Sequence, residues 1–181
     1  MAAVLLLAEP GCHQAGESGR PRTAAAWAAT QPASKIDSFS GPYRFLSNFW
    51  PAKVEFEGIV YPSAEHAYQS AKTMDMAERR RIAAITEPGD AKRAGRALRQ
   101  RADWEAVKLS VMETCVRDKF TRNADLRDKL LGTGDAYLEE GNTWNDRFWG
   151  VCNGEGENHL GKILMNVRAE LRSGPISEPR P

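Results

Sequence analysis

The sequence predicts an α+β fold, a mainly α-helical single domain with a small β-sheet. A chain of 181 residues with 41% hydrophobic residues can bury one core and is too short for two. Aromatic and β-branched residues broken by Gly and Pro occupy residues 36–63, which is typical of short strands and turns. Further along, Trp104, Val107, Val111 and Cys115 recur at steps of three and four, which predicts an amphipathic helix.

The folded domain is expected to span residues 36–173. Residues 1–35 are rich in Gly, Ala, Pro and Ser, and we predict a disordered extension or sequence upstream of the true start. A transit peptide is the weaker alternative, because Glu9 and Glu17 oppose it. Residues 174–181 are predicted to be a flexible tail.

Local patterns predict the elements in order. Val54, Phe56 and Val60 predict a short hairpin with alternating burial. Ser63 is the expected N-cap of the first helix, and Pro88 is expected to stop the second. The predicted helices are about 64–72, 76–85, 90–101, 104–121, 126–131 and 160–171, with a strand at 136–140.

Composition excludes several classes of protein. The formal net charge of +1 requires no polyanionic partner. Cys12, Cys115 and Cys152 are far apart and odd in number, which favours a reducing compartment, so we predict a cytoplasmic protein. No apolar run reaches the roughly 18 residues that cross a bilayer, so no membrane partner is expected. The histidines have no metal-ligand spacing, and neither a metal nor a redox cofactor is expected.

The first candidate for chemistry is the segment "SAEHAYQSAK", residues 63–72. On a helix, Glu65 and Gln69 are about 40° apart and Lys72 lies about 20° on the other side of Glu65. His66 is turned away by about 100° and need not share their face. A carboxylate, an amide and an amine in one row can hold hydroxyl groups and exchange protons. The alternative is an ordinary solvated helix face.

The second candidate is the loop "TWNDRFWGVCNGEGENHLG", residues 143–161, which is rich in conformationally free residues. Asp146 is a candidate acid, base or ribose ligand. Trp144 and Trp149 can stack on a heterocycle. Asn158 precedes the last helix, where free backbone N–H groups favour a phosphate. The alternative places Trp149 in the core and makes Asn158 a simple N-cap.

The third candidate is a run of cations in the middle of the chain. Arg and Lys recognise phosphate, so the run is a candidate phosphate contact. A solvated helix face is the favoured alternative, because Glu78, Glu87 and Asp90 are interspersed. The run comprises Arg79, Arg80, Arg81, Lys92, Arg93, Arg96, Arg99 and Arg101.

Three segments together resemble the NADAR family, which is named for its association with NAD and ADP-ribose and is also called YbiA-like. They are "PYRFLSNFWPAKVEFEGIVYPSAEHAYQSAK", "WEAVKLSVMETCVRDKF" and "LLGTGDAYLEEGNTWNDRFWGVCNGEGENHLGKILMNVR", in the family's order and spacing. The resemblance implies a mostly helical α+β domain that hydrolyses C–N glycosidic bonds. It implies two substrate classes: phosphoribosylamino-pyrimidine intermediates of riboflavin synthesis, and ADP-ribose attached to guanine in nucleic acid.

The resemblance also implies which residues form the site: Ser47, Asn48, Phe49, Glu65, His66, Gln69, Lys72, Asp146, Trp149 and Gly150. The roles of these residues, and the inclusion of Arg44 and Asn158, are hypotheses from the chemistry of the side chains. Glu65 and Asp146 would serve as the acid/base and charge-stabilising groups, in either order. A neutral Lys72 amine would capture the opened ribosylamine as a Schiff base, which requires a lowered pKa. Arg44 is a candidate phosphate contact. The substrate-binding set is Arg44, Ser47, Asn48, Phe49, His66, Gln69, Trp149, Gly150 and Asn158.

Two rival functions remain at this point. One is a binding module for ADP-ribose or a related nucleotide, which would need neither an acid nor an amine. The other is an enzyme that removes ADP-ribose from guanine and so contacts nucleic acid transiently. The expected partner is therefore a small ribosyl or nucleotide substrate, and these features determine no oligomeric state.

Overall fold

The computed structural model describes residues 34–174. Predictions made for residues 1–33 and 175–181 lie outside the described residues. The first strand begins at Lys35, so it takes in the end of the predicted extension. The predicted domain boundaries at residues 36 and 173 stay predictions.

Helices account for most of the regular structure in the described residues, which confirms the mainly helical α+β prediction. The strands form three separate two-stranded pairs, β1–β4, β2–β3 and β5–β6, instead of one sheet. The elements in chain order are β1 (Lys35–Ile36), a 3₁₀ helix (Gly41–Leu46), β2 (Val54–Phe56), β3 (Ile59–Tyr61), α1 (Ala64–Ser70), α2 (Met76–Ala83), α3 (Pro88–Ala97), α4 (Trp104–Arg122), α5 (Ala124–Gly132), β4 (Tyr137–Leu138), β5 (Gly141–Asn142), β6 (Val151–Cys152) and α6 (His159–Arg172).

The β2–β3 hairpin forms where it was predicted, but its alternation differs by one residue. Val54 pairs with Tyr61 across a two-residue turn at Glu57-Gly58. Paired residues share a face of the hairpin, so Tyr61 joins Val54 in the core. The predicted burial of Val60 was wrong: it lies on the opposite face and is 52% exposed.

Helix α1 lies at the centre of the described fold. The predicted N-cap is confirmed, because Ser63 Oγ accepts a hydrogen bond from the backbone N–H of His66. All seven residues of α1 are buried, because β2, β3, α2, α3 and α4 pack around it. A buried helix that carries Glu, His and Gln must place each polar group against a partner or a cavity.

Pro88 begins α3 instead of only ending the helix before it. Proline suits the first helical position, because the N–H it lacks would have no intrahelical partner there. Helix α3 packs closely on α1 at Gly95, where an added Cβ would lie 2.1 Å from Gln69 Oε1. This close approach brings the cations of α3 beside the polar residues of α1.

Helix α4 supports the other side of α1 and also packs on α6 and β2. Its predicted apolar stripe is buried at Val111 and Cys115, and α6 contributes Leu164 and Val167 to the same core. Among residues 34–174, no helix is both long and apolar enough to cross a membrane.

Candidate active site

A cavity of about 910 Å³ opens beside α1. The 3₁₀ helix and the residues after it form one wall, α3 forms a second, and the loop from Glu140 to Trp149 forms a third. Nine of the predicted site residues line this cavity: Arg44, Ser47, Asn48, Phe49, Glu65, Gln69, Lys72, Asp146 and Trp149.

Glu65 and Gln69 form the floor of the cavity from successive turns of α1. Gln69 Nε2 donates a hydrogen bond to Glu65 Oε1 over 2.8 Å. Glu65 is only 5% exposed, and its burial raises the pKa of the carboxyl above its ordinary value. Because the Gln69 hydrogen bond lowers this pKa, Gln69 favours the ionised form while burial favours the neutral acid.

Lys72 follows the end of α1 and carries its amine into the same cavity. Its Nζ lies 5.7 Å from the ring centroid of Tyr68 and 5.9 Å from that of Trp104. Burial lowers the pKa of Lys72, the charge of Glu65 raises it, and the nearby cations Arg96 and Lys92 lower it. The net shift is downward, which increases the fraction of neutral, nucleophilic amine.

Glu140 brings a carboxylate from the opposite wall. It follows β4, and burial raises its pKa to about 7, with Asp146 and Glu65 adding to the shift by charge repulsion. The backbone N–H of Glu140 donates to Asn158 Oδ1 over 3.1 Å. Asn158 Nδ2 in turn donates to Leu138 O over 2.9 Å, so this side chain holds the end of β4 in place.

Asp146 is fixed by the loop that carries it. One of its oxygens, Oδ1, accepts a hydrogen bond from the backbone N–H of Trp149 over 2.9 Å. The side-chain amide of Asn142 bonds to both the backbone O and the backbone N–H of Asp146, at 2.7 and 3.0 Å. The Trp149 ring packs edge-on against Tyr68, with centroids 5.4 Å apart. The loop therefore places a carboxylate and an indole on the cavity wall.

The wall formed by the 3₁₀ helix is held from beneath by Lys119, a fully buried residue of α4. Its Nζ donates to Phe45 O over 2.6 Å and to Ser47 O over 2.8 Å. Above these carbonyls, Asn48 is 93% buried (7% exposed), and its Nδ2 donates to the sulfur of Met112 over 3.2 Å. Asn48 Oδ1 has no hydrogen-bond partner in the described residues, so it is an acceptor available to a ligand donor.

Three predicted substrate contacts do not line the cavity. His66 is turned away from Glu65, as the helix angle requires, and its Nδ1 bonds to Ser63 Oγ over 2.7 Å. Gly150 serves close packing instead, because an added Cβ would lie 2.1 Å from Glu140 O. Asn158 precedes α6 but makes no side-chain cap, since its amide is used by the end of β4.

The cavity also contains residues that the sequence did not assign to the site. Glu140 and Tyr68 line it, together with Lys92 and Arg96 of α3. The signal for Lys92 and Arg96 was their i, i+4 spacing within the basic run, which puts both on one helix face. The position of Glu140 in the sequence could have indicated a site residue, because it lies between a predicted strand and a loop of candidate ligands.

Comparison with known proteins identifies the family. A family model described as NADAR domain matches residues 36–172. N-glycosidase YbiA of Escherichia coli is 41% identical over 139 residues, which cover 74% of this chain and 85% of YbiA. A riboflavin biosynthesis protein of Vibrio vulnificus is 40% identical over 131 residues, which cover 71% of this chain and 35% of the Vibrio protein.

The chain therefore spans about a third of the Vibrio protein's length and most of YbiA's. The NMR structure of E. coli YbiA matches with a TM-score of 0.70 and 34% identity, covering 81% of this chain and 90% of YbiA. The resemblance found in the sequence is thus confirmed by the family match, by the relatives and by the fold: the chain belongs to the NADAR family.

Proposed function

We propose that this chain is an N-glycosidase that hydrolyses the C–N bond between a ribosyl group and a heterocyclic base, acting on ribosylamino-pyrimidine phosphates of the riboflavin pathway or related metabolites. One observation carries the proposal: Glu65, Lys72, Glu140 and Asp146 meet around one cavity. The names of the relatives, an N-glycosidase and a riboflavin biosynthesis protein, support the reaction and the substrate class.

Glu140 is the proposed acid for the leaving base. A general acid works best when its pKa is near the working pH, and burial raises the pKa of Glu140 to about 7. Glu65 lies on the same side of α1 as Lys72, and burial favours the neutral form of each. Transfer of a proton from Lys72 to Glu65 therefore yields the free amine without leaving a charged pair in the cavity.

The proposed steps balance without a cofactor. The ring C1–O bond of the ribosylamine breaks, the ring oxygen takes the proton of the glycosidic N–H, and C1 becomes an imine. The neutral Lys72 amine adds to C1, forms a new C–N bond and passes a proton to the imine nitrogen. That nitrogen then takes a second proton from Glu140, and the base leaves with the electrons of the old C1–N bond, which leaves a protonated lysine imine. Water adds to this imine and gives a proton back to Glu140, and the adduct collapses to the sugar aldehyde and the free Lys72 amine. The net reaction consumes one water molecule and neither an oxidant nor a reductant.

Binding groups complete the proposal. Asn48 Oδ1, buried and without a partner in residues 34–174, would accept a hydrogen bond from a ribose hydroxyl. Trp149 would stack on or wall in the heterocycle. Asp146 keeps one oxygen on the Trp149 N–H and would use the other to stabilise positive charge at C1.

The test is hydrolysis of a ribosylamino-pyrimidine phosphate, followed by release of the free pyrimidine. Lys72→Ala should abolish turnover, whereas Lys162→Ala, which removes an exposed lysine of α6, should not. Borohydride should trap a sugar adduct on Lys72, identified by peptide mass spectrometry. A folded Lys72→Ala protein with near-normal turnover, or no adduct under turnover, removes lysine from the mechanism.

A second candidate function is removal of ADP-ribose from guanine in nucleic acid. The cavity volume of about 910 Å³ lies near the upper end of the range for small-molecule sites, about 300–1,000 Å³, so it has room for a ligand larger than one ribosyl-pyrimidine. Trp144 at its rim is 64% exposed and would offer a further stacking face. An oligonucleotide carrying ADP-ribosylated guanine tests this reading: restored guanine would make the chain a nucleic-acid de-modification enzyme.

A third outcome separates enzyme from binding module. If neither substrate is hydrolysed while ADP-ribose still binds, the chain is a binding module.

The proposal also includes a cytoplasmic location, supported by the free, buried thiols of Cys115 and Cys152, which suit a reducing compartment. Cell fractionation tests the location.

A further inference from the structure

The eight members of the basic run in the middle of the chain separate into three groups in the structure. Four form ion pairs with carboxylates outside the cavity. Arg80 and Arg99 neither form an ion pair in the described residues nor line the cavity. Lys92 and Arg96 form no ion pair within residues 34–174, and both line the cavity. Arg44, on the 3₁₀ helix, shares both properties. The ion-paired members of the run are Arg79, Arg81, Arg93 and Arg101.

The unpaired cations are placed to act together. Lys92 and Arg96 are four residues apart on α3, so they project from one face of the helix. Nζ of Lys92 lies 5.6 Å from the ring centroid of Phe49, which follows the 3₁₀ helix that carries Arg44. Two walls of the cavity therefore carry positive charge.

These cations have no ion-pair partner in the described residues. Glu65 is buried and Glu140 is half-buried. Desolvation raises the pKa of each carboxyl and is the largest effect on it, although the positive charge of Lys92 lowers both. Neither forms an ion pair with Lys92, Arg96 or Arg44 in the described part of the chain. An anionic group of the ligand would supply the missing charge, and two guanidinium forks with an ammonium suit the oxygens of a phosphate.

We propose that Lys92, Arg96 and Arg44 form an anion subsite that binds the phosphate group of a ribosyl phosphate. The subsite lies on the walls formed by α3 and the 3₁₀ helix, so it holds the sugar with its C–N bond toward Lys72 and the carboxylates. The identity of the rest of the ligand rests on the proposed function. The subsite itself rests on the charges of the cavity.

The test compares two substrates that differ only in the 5′-phosphate. The ratio of kcat/KM for the ribosylamino-pyrimidine with and without phosphate is measured in the wild type, Lys92→Met, Arg96→Met and Arg93→Met. The ratio cancels any effect of a lost charge on Lys72, because that effect is common to both substrates. Arg93 is the matched control, since it lies on the same helix, pairs with Asp90 and is not part of the cavity lining.

The wild type should prefer the phosphorylated substrate, and the preference should fall about tenfold in Lys92→Met and in Arg96→Met, as expected for one charged hydrogen bond. Arg93→Met should keep the wild-type ratio. Equal hydrolysis of both substrates by the wild type would overturn the subsite and leave the glycosidase intact. An equal fall in Arg93→Met would also overturn it, because general charge would then explain the preference.

A binding measurement tests the anion subsite without requiring turnover. Titration calorimetry compares ribose 5-phosphate with ribose on the same proteins. Tighter binding of ribose 5-phosphate that depends on Lys92 and Arg96 supports the subsite, even if no substrate is hydrolysed and the proposed function fails. Equal affinity for the two sugars contradicts it.

Discussion

Replacement of Gly95 by alanine tests whether the contact between α3 and α1 sets the geometry of the cavity. An ideal Cβ on Gly95 lies 2.1 Å from Gln69 Oε1 and 2.8 Å from both Cβ and Cδ of Gln69. Rotation of the Gln69 amide relieves the first overlap. The Cβ of Gln69 is attached to the backbone of α1, so relief of the second requires α3 to move away.

The expected loss of stability follows from three terms. Overpacking costs about 1–3 kcal/mol. Loss of the 2.8 Å hydrogen bond from Gln69 to the buried Glu65 carboxylate costs about 1.5–3 kcal/mol more. Alanine in a helix offsets about 1 kcal/mol of this. The free energy of unfolding should therefore fall by about 1.5–5 kcal/mol.

Urea unfolding followed by circular dichroism measures this loss, with Gly89→Ala as the control. Gly89 lies on the same helix, and an added Cβ there meets nothing within 4 Å. Gly95→Ala should also raise the pKa of Glu65, because it removes the Gln69 hydrogen bond that lowers this pKa. The pH–rate profile should therefore shift to higher pH. A Gly95→Ala protein within about 0.5 kcal/mol of the wild type would refute the reasoning.

Three further predictions concern other parts of the site. Glu140 has a pKa of about 7 and is the proposed proton donor, so kcat should fall as the pH rises through 7. In a pH–rate assay, Glu140→Gln should lower kcat about 100-fold and remove this pH dependence. Asn158→Ala loses the bonds to the end of β4 and puts alanine at φ 53°, so thermal unfolding should show a loss of about 2–4 kcal/mol. Burial lowers the pKa of Lys119 from 10.5 to about 7, so the unfolded chain binds that proton more tightly than the folded chain. The free energy of unfolding should therefore rise with pH between about 7 and 10.5. Lys119→Met should flatten this rise in urea titrations at several pH values. An unchanged slope in that variant would contradict the assignment.

Much of the α1 stripe was predictable, because helix geometry is local. The angles between Glu65, Gln69 and Lys72 follow from residue spacing, and so does the turning away of His66. The Schiff-base hypothesis requires a lowered pKa for Lys72, and in the structure burial lowers it, Glu65 raises it, and Arg96 and Lys92 lower it. The roles assigned to these residues stay predictions.

Glu140 could not be assigned in the same way. It enters the cavity because the side chain of Asn158, 18 residues further along the chain, holds the end of β4. The same contact removes Asn158 from the set of cavity residues. No local pattern encodes a contact between two segments so far apart, whereas a helical spacing is encoded in every turn.

By itself the sequence determined the order of the helices, the polar face of α1, the hairpin and, through its ordered motifs, the family. The tertiary structure alone decided which polar groups share one cavity, which cations lack an ion-pair partner in the described residues, and which carboxyl groups have a pKa raised by burial. The physical reason is that helical faces and turns depend on neighbours a few residues away. Protonation and charge pairing depend on desolvation and on charges brought together across the whole fold.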